Sequence, residues 1–352
     1  MKRSLIALAV LAAAGAASAQ SSVTLFGVLD ATLQHGRGSI ADRTQMVEGG
    51  YNASRIGFRG TEDLGGGMSA SFWLEAALNT DDGQGQATNS NNQASGIGAG
   101  SNGRQGLVFN RRSTVSLAGG FGEVRLGRDY TPQYWNLTLF DPFGTRGIGG
   151  NQMTASIITG VTSTRASNTI GYFLPRNLGG FYGQAQYYLG ENLENGAATE
   201  DDGRGYGLRV GYAAGPFNIA VASGRTDYAA GDVRQNNIGG QWDFGVARLQ
   251  AQISKDRNGD RDGKGFLVGG LVPVGAGEIR LAYSQYEVDL AGDPRTRKLA
   301  VGYVHNLSKR TAVYTTYARV KNNGGAAFAL GGSTTAANAS SSGFDLGVRH
   351  SF

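Results

Sequence analysis

The chain has 352 residues, with 32 Lys and Arg against 27 Asp and Glu, three His and no Cys. A formal charge of +5 is too slight to point to nucleic acid, and without cysteine no disulfide can hold the fold together. Hydrophobic residues make up only 40%, mean hydropathy is −0.25, and past the amino terminus no 18 apolar residues run together, which excludes a helical membrane protein.

In chain order, Met1-Lys2-Arg3 is a short basic segment, Leu5 to Ala14 an apolar run, and Ala17-Ser18-Ala19 a small-x-small cleavage pattern. Residues 1–19 are therefore expected to be a cleaved secretory signal, leaving a single domain over 20–352. Removing Lys2 and Arg3 leaves 30 basic against 27 acidic residues, a mature charge of +3. The mature sequence divides into segments of period two, each near the 9–11 residues that a tilted membrane strand needs. Strands are predicted at 22–35, 52–62, 67–79, 106–118, 121–130, 164–174, 180–190 and 204–214. Eight more are predicted at 216–225, 235–244, 246–255, 265–274, 277–289, 296–306, 311–321 and 343–352. Short Gly- and Asn-bearing links alternate strictly with long polar ones at 36–50, 80–105, 131–162, 191–203, 226–234, 256–264, 290–295 and 322–342. Seven short and eight long links give sixteen strands, the asymmetry of periplasmic turns against extracellular loops. The expected fold is all-β: a sixteen-stranded antiparallel transmembrane β-barrel. A secreted sandwich or solenoid would not sort its links by length in this way.

The last strand alternates Phe344, Leu346, Val348, His350 and Phe352 with Asp345, Gly347, Arg349 and Ser351. It is predicted to close the barrel against the first strand, with Phe344 and Phe352 on the lipid side. Parity assigns faces elsewhere too. Val23, Leu25, Leu29 and Leu33 face outward and Asp30 inward. Ile56 and Phe58 face outward, so Arg55 and Arg59 face the lumen. Arg112, Arg125, Arg165, Arg248 and Arg280 fall on lumen parity by the same argument. Arg128 does not, since it shares the parity of Val124 and Leu126.

Catalytic and metal-binding readings find little support. His35, His305 and His350 have no serine and carboxylate in a triad pattern. The stretch Lys255 to Lys264 faintly resembles a calcium loop but lacks the closing Glu and flanking helices, so it reads as a mixed-charge solvated loop. Glu200-Asp201-Asp202 and Asp81-Asp82 read as solvated outer-loop acids. Gly65-Gly66-Gly67 is a turn, since no helix comes after it. No enzyme activity, cofactor or metal is expected.

Several motifs together resemble the general trimeric porins of Gram-negative outer membranes, especially the β-proteobacterial branch. They are Ser22-Val23-Thr24-Leu25-Phe26-Gly27, Ser54 to Gly65, Arg111 to Leu117, Phe121 to Asp129, Gly302 to Thr311, and the terminal Phe352. The resemblance spans the whole mature chain. It implies a water-filled homotrimeric channel in contact with lipid and lipopolysaccharide, passing small anions and hydrophilic solutes. It also implies that the third long link, 131–162, folds into the barrel. That link carries Tyr134, Trp135, Phe140 and Phe143, too many aromatics for a freely solvated loop. By position the resemblance places Arg55, Arg128 and Arg165 on the wall of a constriction, with Arg112 as a fourth and Arg111 as its register alternative. Asp141, with Arg146 beside it, stands opposite on the loop. Arg59, Arg125, Arg248 and Arg280 line the rest of the lumen. Four arginines against one acid imply anion preference. Lumen-parity aromatics such as Tyr182 and Tyr188 form no continuous sugar-binding track. The alternative from another class is an adhesin or receptor acting through the long loops.

Overall fold

The computed structural model describes residues 22–94, 104–153, 158 and 160–352. The predicted signal lies outside the described residues. Alternating sequence produces long strands: β1 (Ser22–Arg37), β2 (Ala41–Glu48), β3 (Arg55–Gly65), β4 (Met68–Ala77), β5 (Gly85–Gln86), β6 (Arg104–Gln105), β7 (Arg112–Gly119) and β8 (Gly122–Tyr130). One helix, α1 (Pro132–Leu139), interrupts them. Then come β9 (Arg165–Phe173), β10 (Phe181–Tyr188), β11 (Gly205–Ala214), β12 (Phe217–Thr226), β13 (Val233–Asp243) and β14 (Arg248–Asn258). The series ends with β15 (Arg261–Val274), β16 (Gly277–Val288), β17 (Arg295–Asn306), β18 (Thr311–Asn323), β19 (Ser333–Thr334) and β20 (Ser340–Ser351).

Among the described residues sixteen of these strands form one antiparallel ring; β2, β5, β6 and β19 are accessory. The ring closes where β1 pairs with β20, from Val28 opposite Ser351 to Arg37 opposite Ser342. The other edge of β1 pairs with β3 toward its start and with β2 toward its end. Closure leaves no free edge, which is what a sheet in hydrocarbon needs.

The two faces differ as the alternation requires. Leu25, Val115, Ile253 and Leu299 each leave more than half their surface open on the outside, part of an apolar belt larger than water tolerates. Phe181 with Tyr212, and Trp242 with Phe217 and Phe244, set an aromatic girdle near the short-link rim. The inner face is polar except along β15–β18. There Leu267, Ala282, Tyr286, Ala300, Ala318 and Val320 form an apolar cluster with Leu137, Phe143, Ile148, Met153 and Ile158 of the third long link.

Two expectations about links need correction. Residues 256–264 are not a loop. β14 and β15 run on to a tight turn at Gly259, whose φ is +61°. One pair of the charges there joins across the two strands, Arg257 gripping Asp262 through bonds of 2.6 and 2.7 Å. Residues 106–111 are not strand, because the backbone leaves the extended path before β7 begins. The first long link also contains β2, which pairs with the upper part of β1.

Candidate functional site

The third long link lies against the polar inner wall. α1 starts with Pro132, where a missing N–H costs nothing, and its last carbonyls are satisfied by wall glutamines. Gln252 Nε2 donates to Leu137 O at 3.1 Å and Gln250 Nε2 to Leu139 O at 2.9 Å. Arg209 Nε donates to Asn136 Oδ1, and Asn136 Nδ2 to Ala220 O. Glycine makes the seat. A Cβ on Gly239 would meet the Phe140 ring at 2.3 Å, and one on Gly224 would meet Gln133 at 2.5 Å. Farther along, Ile148 N donates to Asp345 and Gln152 N to Ser284.

Across from this link, arginines gather around one tyrosine. Tyr130 ends β8 just past a bulge, where Gly127 (φ +119°) faces Thr169 and Asp129 faces Ala166. The Tyr130 hydroxyl accepts from Arg111 Nη2 at 2.5 Å and from Arg165 Nη2 at 2.7 Å. The Arg165 guanidinium lies 4.3 Å from the Tyr130 ring centre, and Tyr134 of α1 stacks on that ring at 5.3 Å and 8°. Arg165 Nε also donates to Arg111 O. Arg111 Nε donates to Glu75 Oε1 at 2.5 Å, and Arg55 Nε stands 3.8 Å from the same oxygen. Glu75 is thus the acid beside the wall arginines, held further by Trp73 Nε1. Arg146, on the loop, acts electrostatically on both Arg55 and Arg165. Burial alone would push the Tyr134 phenol up; Arg146, with Thr138 and Thr145, outweighs it and leaves Tyr134 below its ordinary value. Two chambers meet at this cluster. One of about 720 Å³ includes Arg55, Arg111 and Arg146 in its lining. Another of about 440 Å³ includes Arg165, Arg146 and Lys298.

The expected constriction set is only partly brought together. Arg165 and Arg55 join the cluster from opposite sides, Arg165 on the Tyr130 hydroxyl and Arg55 beside Glu75; Arg111, the register alternative, links them, while Arg112 lines the same chamber as Arg55. Arg112 points toward the short-link rim, over the Trp73 ring at 4.7 Å and 3.8 Å from Asp129. The choice of Arg112 rested on strand parity, but Arg111 precedes the strand and parity does not govern it. Arg128 is committed to the wall: Nε donates to Asn110 O, and Nη1 to Ser167 Oγ and Asn89 O. The bulge turns it there. Asp141 lines the same chamber as Arg55, Arg111 and Arg112, but it bonds to none of them. Its carboxylate accepts from the backbone N–H groups of Phe143, Thr145 and Asn151 and from Asn151 Nδ2, folding the loop on itself. Burial pushes the Asp141 carboxyl up from its ordinary value, against those bonds.

The four remaining arginines lie on the inner face. Arg59 stands over Phe26 and Trp73, and Arg125 pairs with Asp129 and Glu123. Arg248 pairs with Asp243, while Arg280 pairs with Glu278 and stands over Tyr51. Phe344 is exposed on the outer face, and Phe352 exchanges backbone bonds with Gly27 at the seam. No group of three His, Cys, Asp or Glu side chains able to hold a metal occurs among the described residues. Parity missed Tyr130, although it could have placed Lys298, which alternates with the exposed Leu299 and Val301. It could have found Glu75, an acid on the lumen parity of Ser71 and Trp73.

Comparison with known proteins agrees with this architecture. A model of the Gram-negative porin family matches residues 5–325. Outer membrane porin protein 32 of Delftia acidovorans is 39% identical over 375 residues, covering all of both chains. An outer membrane porin protein of Bordetella pertussis is 27% identical, also over both whole chains. Among solved structures, an anion-selective porin from Comamonas acidovorans matches with a TM-score of 0.81 and 36% identity, over 95% of this chain and 100% of that one. OmpT of Vibrio cholerae, in a trimer form, shares the fold at 15% identity and a TM-score of 0.64, over 94% and 99%. A family match over most of the chain and a full-length relative lead to one conclusion: this chain belongs to the Gram-negative porin family, as a β-barrel channel protein of the outer membrane and not an enzyme.

Proposed function

We propose that the channel is anion-preferring and that its narrowest passage lies between the wall cluster and the third long link. Arg55, Arg111 and Arg165 supply the wall charges, Arg146 supplies one from the loop, and Glu75 is the acid bonded to the wall arginines. The observation that carries this reading is the convergence of four guanidiniums around Tyr130 and Tyr134 with one carboxylate among them. Fixed cations in a narrow passage lower the energy of an anion and raise that of a cation. Low-dielectric walls focus the field, and guanidinium stays charged at every relevant pH. Tyr130 and Glu75 hold the arginines at fixed positions despite their repulsion. Arg112, Arg59, Arg248 and Arg280 extend the positive field toward the short-link rim. The anion-selective relative supports the same sign.

Small anions and hydrophilic solutes cross by passive diffusion, with no cofactor. Three copies assemble side by side, their apolar belts facing one another, lipid and lipopolysaccharide. Residues 1–19 serve as the export signal. The test is the zero-current potential under a salt gradient, first for the native channel and then for Arg55→Glu combined with Arg165→Glu. The native channel should be anion-selective and the double variant should move strongly toward cations. An unchanged potential in the double variant would remove these arginines from the selectivity mechanism.

A further inference from the structure

Lys298 is a buried lysine that stands apart from the wall arginines. It lies on β17, only 4% exposed, and lines the 440 Å³ chamber on the long-link side of the Tyr130 cluster. Its ammonium has no hydrogen-bond or ion-pair partner among the described residues. Asp141 and Asp345 act on it only through their charge. Both carboxylates are already occupied, Asp141 by four donors within the loop and Asp345 by Gln34 Nε2 and Ile148 N. Arg146 lines the same chamber, and its guanidinium likewise has no bonded partner among the described residues. The stem of Lys298 is buried while its side chain lines the chamber, and an ammonium brings three donors and no acceptor, which suits an anion. The chamber opens that ammonium to a solute, and Arg165 adds a third cation at its edge.

We infer that this chamber is a holding site for a small doubly charged oxyanion of the phosphate or sulfate type, with Lys298 and Arg146 as its ligands. The inference rests on the anion-preferring reading above and adds a site to it. The charged groups lining the chamber are three cations, Arg146, Arg165 and Lys298, with no acid among them, so a doubly charged oxyanion gains more there than chloride does. The two nearby carboxylates keep the site from being a trap. They lower the net positive charge, so the anion can leave toward Arg55 and Arg111.

The experiment measures chloride conductance of purified native channels in a planar bilayer while inorganic phosphate is titrated from the long-link side. Phosphate should reduce chloride current in a saturable way. In Lys298→Gln the concentration for half-reduction should rise at least about tenfold, equivalent to about 1.4 kcal/mol, and Lys298→Arg should restore most of the effect. Should Lys298→Gln not fold, Arg146→Gln is the second variant, since that side chain bonds to nothing described, and the same weakening is expected. Unchanged phosphate sensitivity in the folded variants, or no saturable reduction in an anion-selective native channel, would overturn the holding site and leave the anion preference standing. A native channel selective for cations would overturn the reading beneath it.

Discussion

Tyr130 organises the arginine cluster because one phenolic oxygen accepts from two guanidiniums that would otherwise repel each other. Hydrogen bonds to charged donors contribute about 1.5–3 kcal/mol each. Tyr130→Phe should therefore lower thermal stability by about 2 kcal/mol and broaden the open-channel current as Arg165 samples other positions. Single-channel noise with a melting curve checks this. Arg128 is the control residue. Its three bonds hold the wall to Asn89 and Asn110 on the second long link. Arg128→Gln should leave the zero-current potential within a few millivolts of native while speeding proteolysis of residues 78–94; a large shift in potential would return Arg128 to the passage. Parity already set Arg128 apart from Arg55, but it could not show that the bulge at Gly127 turns the side chain onto the second long link. Arg111 and Arg112 are hard to tell apart, since the turn of the chain before β7 comes from backbone pairing of Arg111 with Glu75.

At the scale of the element, the third long link behaves as part of the interior. Of the four aromatics that signal this, Tyr134, Phe140 and Phe143 are each below 10% exposed, while Trp135 is 37% exposed. The seat is not legible in the same way. Glycines in separate strands become a groove only once the barrel closes and brings them under one loop. Gly239→Ala places a methyl against the Phe140 ring, with overpacking of about 1–3 kcal/mol. The loop should lift from the wall, and single-channel conductance should change measurably while the barrel remains resistant to detergent. Asp141→Ala acts on the same element from within. Four donors lose their acceptor, so conductance should become variable between channels while selectivity keeps its sign. A uniform strengthening of anion preference in Asp141→Ala would instead restore that carboxylate to the passage. The hairpin at Gly259 teaches the complementary lesson: a charged stretch looks like a loop until Arg257 and Asp262 are seen to pair across two strands.

For the whole molecule, strand number, closure and facing come from period-two patterning, because a barrel in lipid leaves almost no other way to satisfy its backbone. The polar lumen, apolar belt and aromatic girdle are one alternation seen from two sides. Selectivity also belongs to this scale, since it sums the cluster at Tyr130 and the arginines beyond it. If fixed charge sets it, the preference must weaken as salt screens the lumen, with the Debye length falling from about 30 Å at 0.01 M to about 3 Å at 1 M. Anion over cation permeability should therefore fall steadily across that range. A preference independent of salt would point to size or specific binding.

The most direct test of an arginine-controlled passage is the zero-current potential of the native channel in a planar bilayer under a tenfold gradient of potassium chloride. The potential should take the sign set by chloride and lose it when Arg55 and Arg165 are both reversed to Glu. A potential of the sign set by potassium in the native channel would contradict that control and shift it to the lumen carboxylates, Glu75 first.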